Sequence, residues 1–396
     1  MSLSEFDTFR DAPSLTPSLS LSELSAWLRL GLTPGVGNVS ACQLLRVFGQ
    51  AEAVFEASSQ ALRRVVSERQ SENLLQVPAA LADLVRRTQC WLDAATPHQR
   101  RAVITLGDPL YPPAFLHLAD PPLLIHVLGA PSAFAALLKP QALAVVGSRN
   151  PTPAGLDHAF AFSQHLAQQR VLIVSGLARG IDGAAHRGAL HSGHTDATVA
   201  FVGTGLDQVY PHVHRELAQR IAQQGLLVSE YPLGTPPLAA NFPKRNRLIA
   251  ALSQGVLVVE AGLPSGSLVT AGLSMEQGKE VFAIPGSIHS PASRGCHALI
   301  KQGAKLVEKA QDILDELPKL VSSMPPAPAS EPQTTPSHDP DQAVLTALGH
   351  EVVDLDTLQA RCGWATPALQ AALMRLELSD QIARLGGGLF QRRVLA

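Results

Sequence analysis

The chain has 396 residues, long enough for two or three domains, and 46% of them are hydrophobic, enough for a sizeable core. With 31 Lys and Arg against 33 Asp and Glu the formal net charge is −2, which excludes a globally basic nucleic-acid coat and confines any polyanion site to a local patch. The four cysteines (Cys42, Cys90, Cys296, Cys362) form no C-x-x-C pair, and no signal-peptide pattern or run of transmembrane length is visible, so a cytoplasmic protein with reduced thiols is expected.

Residues 1–20, rich in Ser, Thr and Pro, are expected to be disordered. Residues 21–100 read as a helical domain. One helix covers Glu23–Leu30 with Ser22 placed to cap it, a second covers about Val39–Val47, and a third amphipathic stretch covers Leu75–Trp91. Thr33-Pro34-Gly35-Val36-Gly37 joins the first two. Helix, Pro-Gly-Val-Gly, helix suits a SAM or helix-hairpin-helix-like domain whose hairpin N–H groups hold a DNA phosphate, and equally a tight turn in a small bundle. Residues 101–141 form an extended connecting segment with a candidate edge strand.

Residues 142–317 alternate buried apolar runs with helical spacing. Leu143–Val146 stops at Gly147-Ser148-Arg149, and a helix follows Pro151 and Pro153. Val171–Val174 then leads into Ser175-Gly176-Leu177-Ala178-Arg179-Gly180-Ile181-Asp182 and another helix. Further apolar runs lie at Thr198–Val202, Leu226–Ser229, Val256–Val259 and Val281–Ile284. Such alternation predicts an α/β fold with an extended Rossmann-like, doubly wound parallel sheet. Residues 318–340 are a Pro-rich linker. Residues 341–396 read as a winged helix: helices over Ala343–Leu348, Leu355–Arg361 (capped by Asp354) and Thr366–Leu378, then a hairpin around Gly386-Gly387-Gly388. The exposed part of the third helix, Thr366–Ala372, has no Lys or Arg, which disfavours base reading and favours protein contact or scaffolding.

Parallel sheets place ligands at the carboxyl ends of their strands, where Arg149 and Arg179 fall. The run Asn241-Phe242-Pro243-Lys244-Arg245-Asn246-Arg247 also follows a strand and enters a helix. Cations at a helix start oppose its dipole unless an anion is bound. Basic groups accompanied by aromatic rings suit single-stranded nucleic acid. The expected site therefore comprises Gly147, Ser148, Arg149, Gly176, Arg179, Gly180, Phe242, Lys244, Arg245, Asn246 and Arg247, with backbone N–H groups after Gly147 and Gly176 assisting. Tyr210-Pro211 and Tyr231-Pro232 read as packed turns, and Glu230 and Glu260 as residues that orient the arginines. Ser265-Gly266-Ser267 is another place for a phosphate. Gly203-Thr204-Gly205 lacks the third glycine of a dinucleotide fingerprint and no Walker lysine is present; His186, His191 and His194 are loosely spaced, and His212 and His214 share one side of an extended segment without a third ligand, so no metal and no cofactor is expected.

In series these stretches resemble the DNA-processing protein A (DprA/Smf) family: Val146–Arg149, Ser175–Asp182, Gly203–Gly205 with Asp207, Tyr210 and Pro211, Ser229–Pro232, Phe242–Arg247 with Ile249, Glu260-Ala261 with Ser265–Ser267, Pro285-Gly286, then Gly295, Leu299-Ile300 and Gly303-Ala304. One departure is His297, where such proteins often carry Asn. The resemblance implies a non-catalytic recombination mediator. It would bind and protect incoming single-stranded DNA, help load the recombinase RecA during natural transformation, and dimerise through its central domain, with no membrane partner. His297, Leu299 and Ile300 are the expected dimer or RecA surface. The enzyme alternative, a nucleotide-processing phosphoribohydrolase, lacks its Pro-Gly-Gly-x-Gly-Thr loop here; a transcription regulator acting through the winged helix is a third reading.

Overall fold

Ser20, rather than Ser22, caps the first helix, α1 (Leu21–Leu32). Its hydroxyl accepts from the Glu23 N–H at 3.2 Å and the Glu23 carboxylate accepts from the Ser20 N–H at 2.8 Å, so the Ser-x-x-Glu spacing selects the start. Four short helices follow, α2 (Asn38–Phe48), α3 (Ala51–Glu56), α4 (Ser59–Arg63) and α5 (Glu68–Leu75), and then α6 (Leu81–Asp93). The helix expected from Leu75 begins only at Leu81, because Pro78 pushes the residue before it out of helical conformation. In the hairpin between α1 and α2, Gly35 takes φ +77°. Asn73 donates to Pro34 O and Gln70 to Gly35 O, each at 2.8 Å, so α5 pins this exposed turn to the bundle.

A computed structural model of the chain describes residues 19–320, 340–348, 352–379, 381–385 and 389–392. The expected disorder before residue 19 and most of the Pro-rich linker lie outside the described residues. Two units divide the chain, residues 1–322 and 323–396.

The first unit holds a sheet of nine strands: β1 (Arg100–Thr105), β2 (Leu124–Gly129), β3 (Ala142–Val146), β4 (Leu172–Ser175), β5 (Thr198–Phe201), β6 (Leu226–Ser229), β7 (Gly255–Val258), β8 (Glu280–Ala283) and β9 (Lys305–Leu306). Their order is β1-β2-β6-β5-β4-β3-β7-β8-β9. β1–β2 and β2–β6 pair antiparallel and all other neighbours pair parallel, so the connecting segment, expected to offer one edge strand, adds two outer strands.

Alternation along the strands builds two cores. Ala144, Val146, Val174, Phe201, Val228 and Val258 face one way, beneath α10 (Asn241–Leu252), α11 (Gly266–Glu276) and α12 (Arg294–Lys301). Val145, Ile173 and Leu257 face the other, beneath α7 (Pro153–Gln168), α8 (Ile181–Leu190) and α13 (Ala310–Glu316). Ala200 and Leu227 on that same face pack under α9 (Arg215–Gln224). Chain order reverses at β3, which lies between β4 and β7, and this opens a crevice at the strand carboxyl ends.

The second unit contains α14 (Pro340–Leu348), β10 (Val352–Asp354), α15 (Leu355–Cys362), α16 (Thr366–Leu378), β11 (Ile382–Leu385) and β12 (Leu389–Arg392). The strands run antiparallel in the order β10-β12-β11, and β10 was not foreseen. Asp354 caps α15 by accepting from Thr357 N at 2.8 Å. Arg375, the one basic residue of α16, donates to Asp341 of α14 at 2.5 and 3.1 Å.

Candidate nucleic-acid interface

The turns after β3 and β4 are pressed together. A Cβ on Gly147 would lie 2.6 Å from Ile181 Cγ1 and 2.9 Å from Glu260 O. Gly180 has φ +78°, and a Cβ there would lie 2.3 Å from Ser148 O. Both positions therefore need glycine, and the close approach leaves Arg149 and Arg179 at the surface, where both are exposed. The backbone differs from expectation. Ser148 N–H donates to Glu260 O at 2.7 Å, and Gly176 N–H and Ala178 N–H donate to Asp182 Oδ2 at 3.1 and 3.3 Å. These N–H groups are already engaged inside the fold. Burial pushes the Asp182 carboxyl above its ordinary range, against the pull of Arg245 and the two N–H donors.

Two cavities meet at the ridge formed by Arg149 and Phe242. The Arg149 guanidinium carbon stands 5.9 Å from the centroid of the Phe242 ring. The larger cavity, about 490 Å³, opens between the loops after β3 and β7 and is lined by Ser148, Asn150, Asn246, Ser265 and Ser267 besides that ridge. The smaller, about 350 Å³, lies on the β4 side and is lined by Arg179, Tyr210, Pro211, His212 and Val213 besides the same pair. Tyr210 is 42% exposed and its ring centroid is 5.5 Å from that of Phe242. The sequence reads it as a packed turn, but it lines the smaller cavity, and its place in the Asp207–Pro211 loop after a parallel strand was a usable signal. Tyr231 is a packed turn as expected, with its hydroxyl donating to Asn241 O at 3.0 Å.

The basic run of α10 divides. Lys244 is exposed. Arg245 is buried and donates to Gly176 O at 2.6 Å and to Phe201 O, holding the ends of β4 and β5 together. Burial lowers its guanidinium to about 10 despite Asp182 nearby. Arg247 is also buried, paired with Glu230 at 2.5 Å and Asp120 at 3.1 Å. Internal acceptors from distant segments engage both arginines; Arg247 lines neither cavity, whereas Arg245 still lines both. Glu230 does orient an arginine. Glu260 instead accepts from Thr152 N at 2.9 Å and Thr152 Oγ1 at 2.6 Å, at the start of α7. Asn246 donates to Gly266 O at 3.3 Å, and Ser265 Oγ accepts from Ser267 N at 3.2 Å, which fixes the small-residue loop.

Two further expectations change. His212–His214 is a helical turn rather than an extended segment; His214 Nδ1 lies 3.0 Å from Leu177 O, and His186 Nδ1 lies 2.8 Å from Thr198 Oγ1. Leu299 is 4% exposed and packs in the core, so it cannot belong to a contact surface; His297 and Ile300 are half-buried, and His297 Nε2 reaches Gly286 O at 3.0 Å.

A doubly wound sheet whose strand-end crevice presents arginines and aromatic rings, on a chain that also carries a winged helix, defines a Rossmann-like α/β protein. The chain belongs to the DNA recombination-mediator protein A family, whose model matches residues 102–318, and the DprA winged helix domain matches residues 325–388. It is 41% identical over 329 residues to protein Smf of Escherichia coli (strain K12), covering 82% of this chain and 84% of that protein. The crystal structure of DNA processing protein A from Streptococcus pneumoniae superposes with TM-score 0.62 at 35% identity, covering 76% of this chain and 99% of that one. DNA processing protein A from Helicobacter pylori, described by its structure as binding single-stranded DNA, superposes with TM-score 0.50 at 32% identity, covering 56% of this chain and 98% of that one. Among the described residues no helix is long and apolar enough to cross a membrane.

Proposed function

We propose that the two strand-end cavities bind single-stranded DNA and that the protein acts as a cytoplasmic, non-catalytic recombination mediator. In this reading Arg149 and Arg179 hold phosphates, Phe242 and Tyr210 stack a base, and Lys244 adds an outlying positive charge. Ser148, Asn246 and the Ser265–Ser267 loop offer hydroxyl and amide groups to the strand. Gly147, Gly176 and Gly180 permit the close turns, while Arg245 and Arg247 set the position of α10. The observation that carries the proposal is the Arg149–Phe242 ridge, a cation over an aromatic face with a cavity on each side. The H. pylori relative supports it.

The wider role follows the family: protection of incoming DNA, help in loading RecA during transformation, and a homodimer, with His297 and Ile300 on α12 as the surface for the dimer or for RecA. The helical region and the sheet would act as one unit and the winged helix as a second, with the Pro-rich segment as linker. A gel shift comparing single-stranded with double-stranded DNA over a salt series tests the binding, with preferential, salt-weakened retention of the single strand as the expected result. Incubation with nucleoside monophosphates should release no base; release would favour the phosphoribohydrolase instead.

A further inference from the structure

A second cationic cluster lies outside the two cavities, on the seam between α8 and α9. Both helices start at the strand carboxyl ends and pack side by side on one face of the sheet. Arg187 is about 9 Å along α8 and Arg220 about 7.5 Å along α9, at 1.5 Å per residue, so the two sit at similar depth. Both are half-buried. His214 closes the upper end of the seam: a Cβ on Gly183 would lie 2.7 Å from His214 Cε1 and 3.5 Å from Arg187 Nη1.

Among the described residues neither guanidinium has a carboxylate in ion-pair contact, and neither makes a side-chain hydrogen bond. The acids nearest in sequence are unavailable or unpaired. Asp182 is turned to Gly176 and Ala178, and Glu216, at helical spacing before Arg220, forms no ion pair with it. Burial and the charge of Arg220 both press the Arg187 guanidinium below its ordinary range. Two like charges partly withdrawn from water with no counter-ion destabilise the fold. Partly buried cations without a carboxylate partner, beside a strand-end cavity, are a candidate anion subsite.

One turn links the seam to the smaller cavity. The turn His212–His214 supplies His212 and Val213 to the cavity wall, and its last residue, His214, stands on Gly183 at the head of the seam. The distance from strand ends to arginine pair is a few nucleotides at about 3.4 Å each. We propose that Arg187 and Arg220 form a phosphate subsite that receives the backbone of a single strand as it leaves the stacking cavity past Arg179 and His212. The proposal rests on the single-stranded DNA reading above. It names the exit path of the strand.

The test uses the full chain carrying Arg187→Gln and Arg220→Gln together, with fluorescence anisotropy on labelled oligothymidylates of about 4 and about 20 nucleotides across a salt series. The expected variant melts no lower than wild type, since a repulsive pair has been removed. It binds the short oligonucleotide as wild type does, binds the long one about 5–30-fold more weakly, and loses about 0.7 per missing contact from the salt slope. Unchanged affinity for the long oligonucleotide overturns the proposal. So does equal weakening at both lengths, or a lowered melting temperature with binding intact, which would make the pair structural. Equal stabilisation of wild type and variant by inorganic phosphate agrees with a strand-only subsite; stabilisation of wild type alone, without any length dependence, makes it a free-phosphate site and overturns the strand path. Arg149→Ala, assayed in parallel, should weaken both lengths; if it weakens neither, the cavity reading fails whatever the seam does.

Discussion

Replacing Arg247 by Met should cost much stability and little affinity. Arg247 is paired with Glu230 at 2.5 Å and Asp120 at 3.1 Å, and the Arg247 and Glu230 side chains are only 9% and 5% exposed. Methionine keeps most of the aliphatic volume but leaves the Glu230 carboxylate buried without its cation, an effect of about 3–5 kcal/mol. At roughly 2–4 °C per kcal/mol for a unit of this size, melting should fall by about 6–20 °C. Burial already raises the Glu230 pKa against the pull of Arg247 and Lys244. A raised folded-state pKa favours the fold below the unfolded carboxylate value near 4.3 and loses that stability as pH rises through the folded value. The deficit of Arg247→Met should therefore shrink towards acid pH, and Glu230→Gln in the same chain should recover most of it. Thermal melting by circular dichroism at several pH values reads all three effects. An Arg247→Met protein that melts within about 2 °C of wild type but loses single-strand affinity would show the guanidinium acting on ligand after all.

Burial lowers the pKa of His126 to about 4, with its ring edge-on to Trp91 at 5.9 Å. A depressed histidine gives stability that is present above the unfolded value near 6.5 and is lost as pH falls towards the folded value, so urea midpoints should decline between about pH 6.5 and 4 and His126→Phe should flatten that decline. Gly180→Ala forces a side chain into a left-handed φ of +78° and to within 2.3 Å of Ser148 O; it should lower stability by about 1–3 kcal/mol and, by displacing the Ser148–Arg149 turn, weaken single-strand binding, measured by melting and anisotropy together. Phe242→Ala should weaken binding by about 1–3 kcal/mol while Phe242→Trp retains it, which competition with unlabelled oligonucleotide would show.

Much of the scaffold was legible from the chain. The apolar runs at Leu143–Val146 and Val171–Val174 carry their own burial, and Gly147 and Gly180 mark turns that steric crowding then explains. Thr366–Leu378 and the hairpin after it were readable for the same reason. The missed features depend on contacts distant in sequence. Lys244, Arg245 and Arg247 look alike as a run, but successive helix positions rotate by about 100°, and only the tertiary fold brings Asp120, Gly176 O and Phe201 O to the inward pair. In the same way, Glu260 O and Asp182 occupy backbone N–H groups that appear free in sequence. Ser22 was a local misreading, since Ser20 and Glu23 already spell a capping box.

The central claim is that exposed cations beside the Phe242 ring hold a single strand. Its most direct test is the affinity of Arg149→Ala with Arg179→Ala for single-stranded DNA, measured by anisotropy over a salt series. The double variant should show at least about a tenfold rise in Kd, a shallower salt slope and an unchanged melting temperature, because both side chains are exposed. Wild-type affinity with a wild-type salt slope would contradict it.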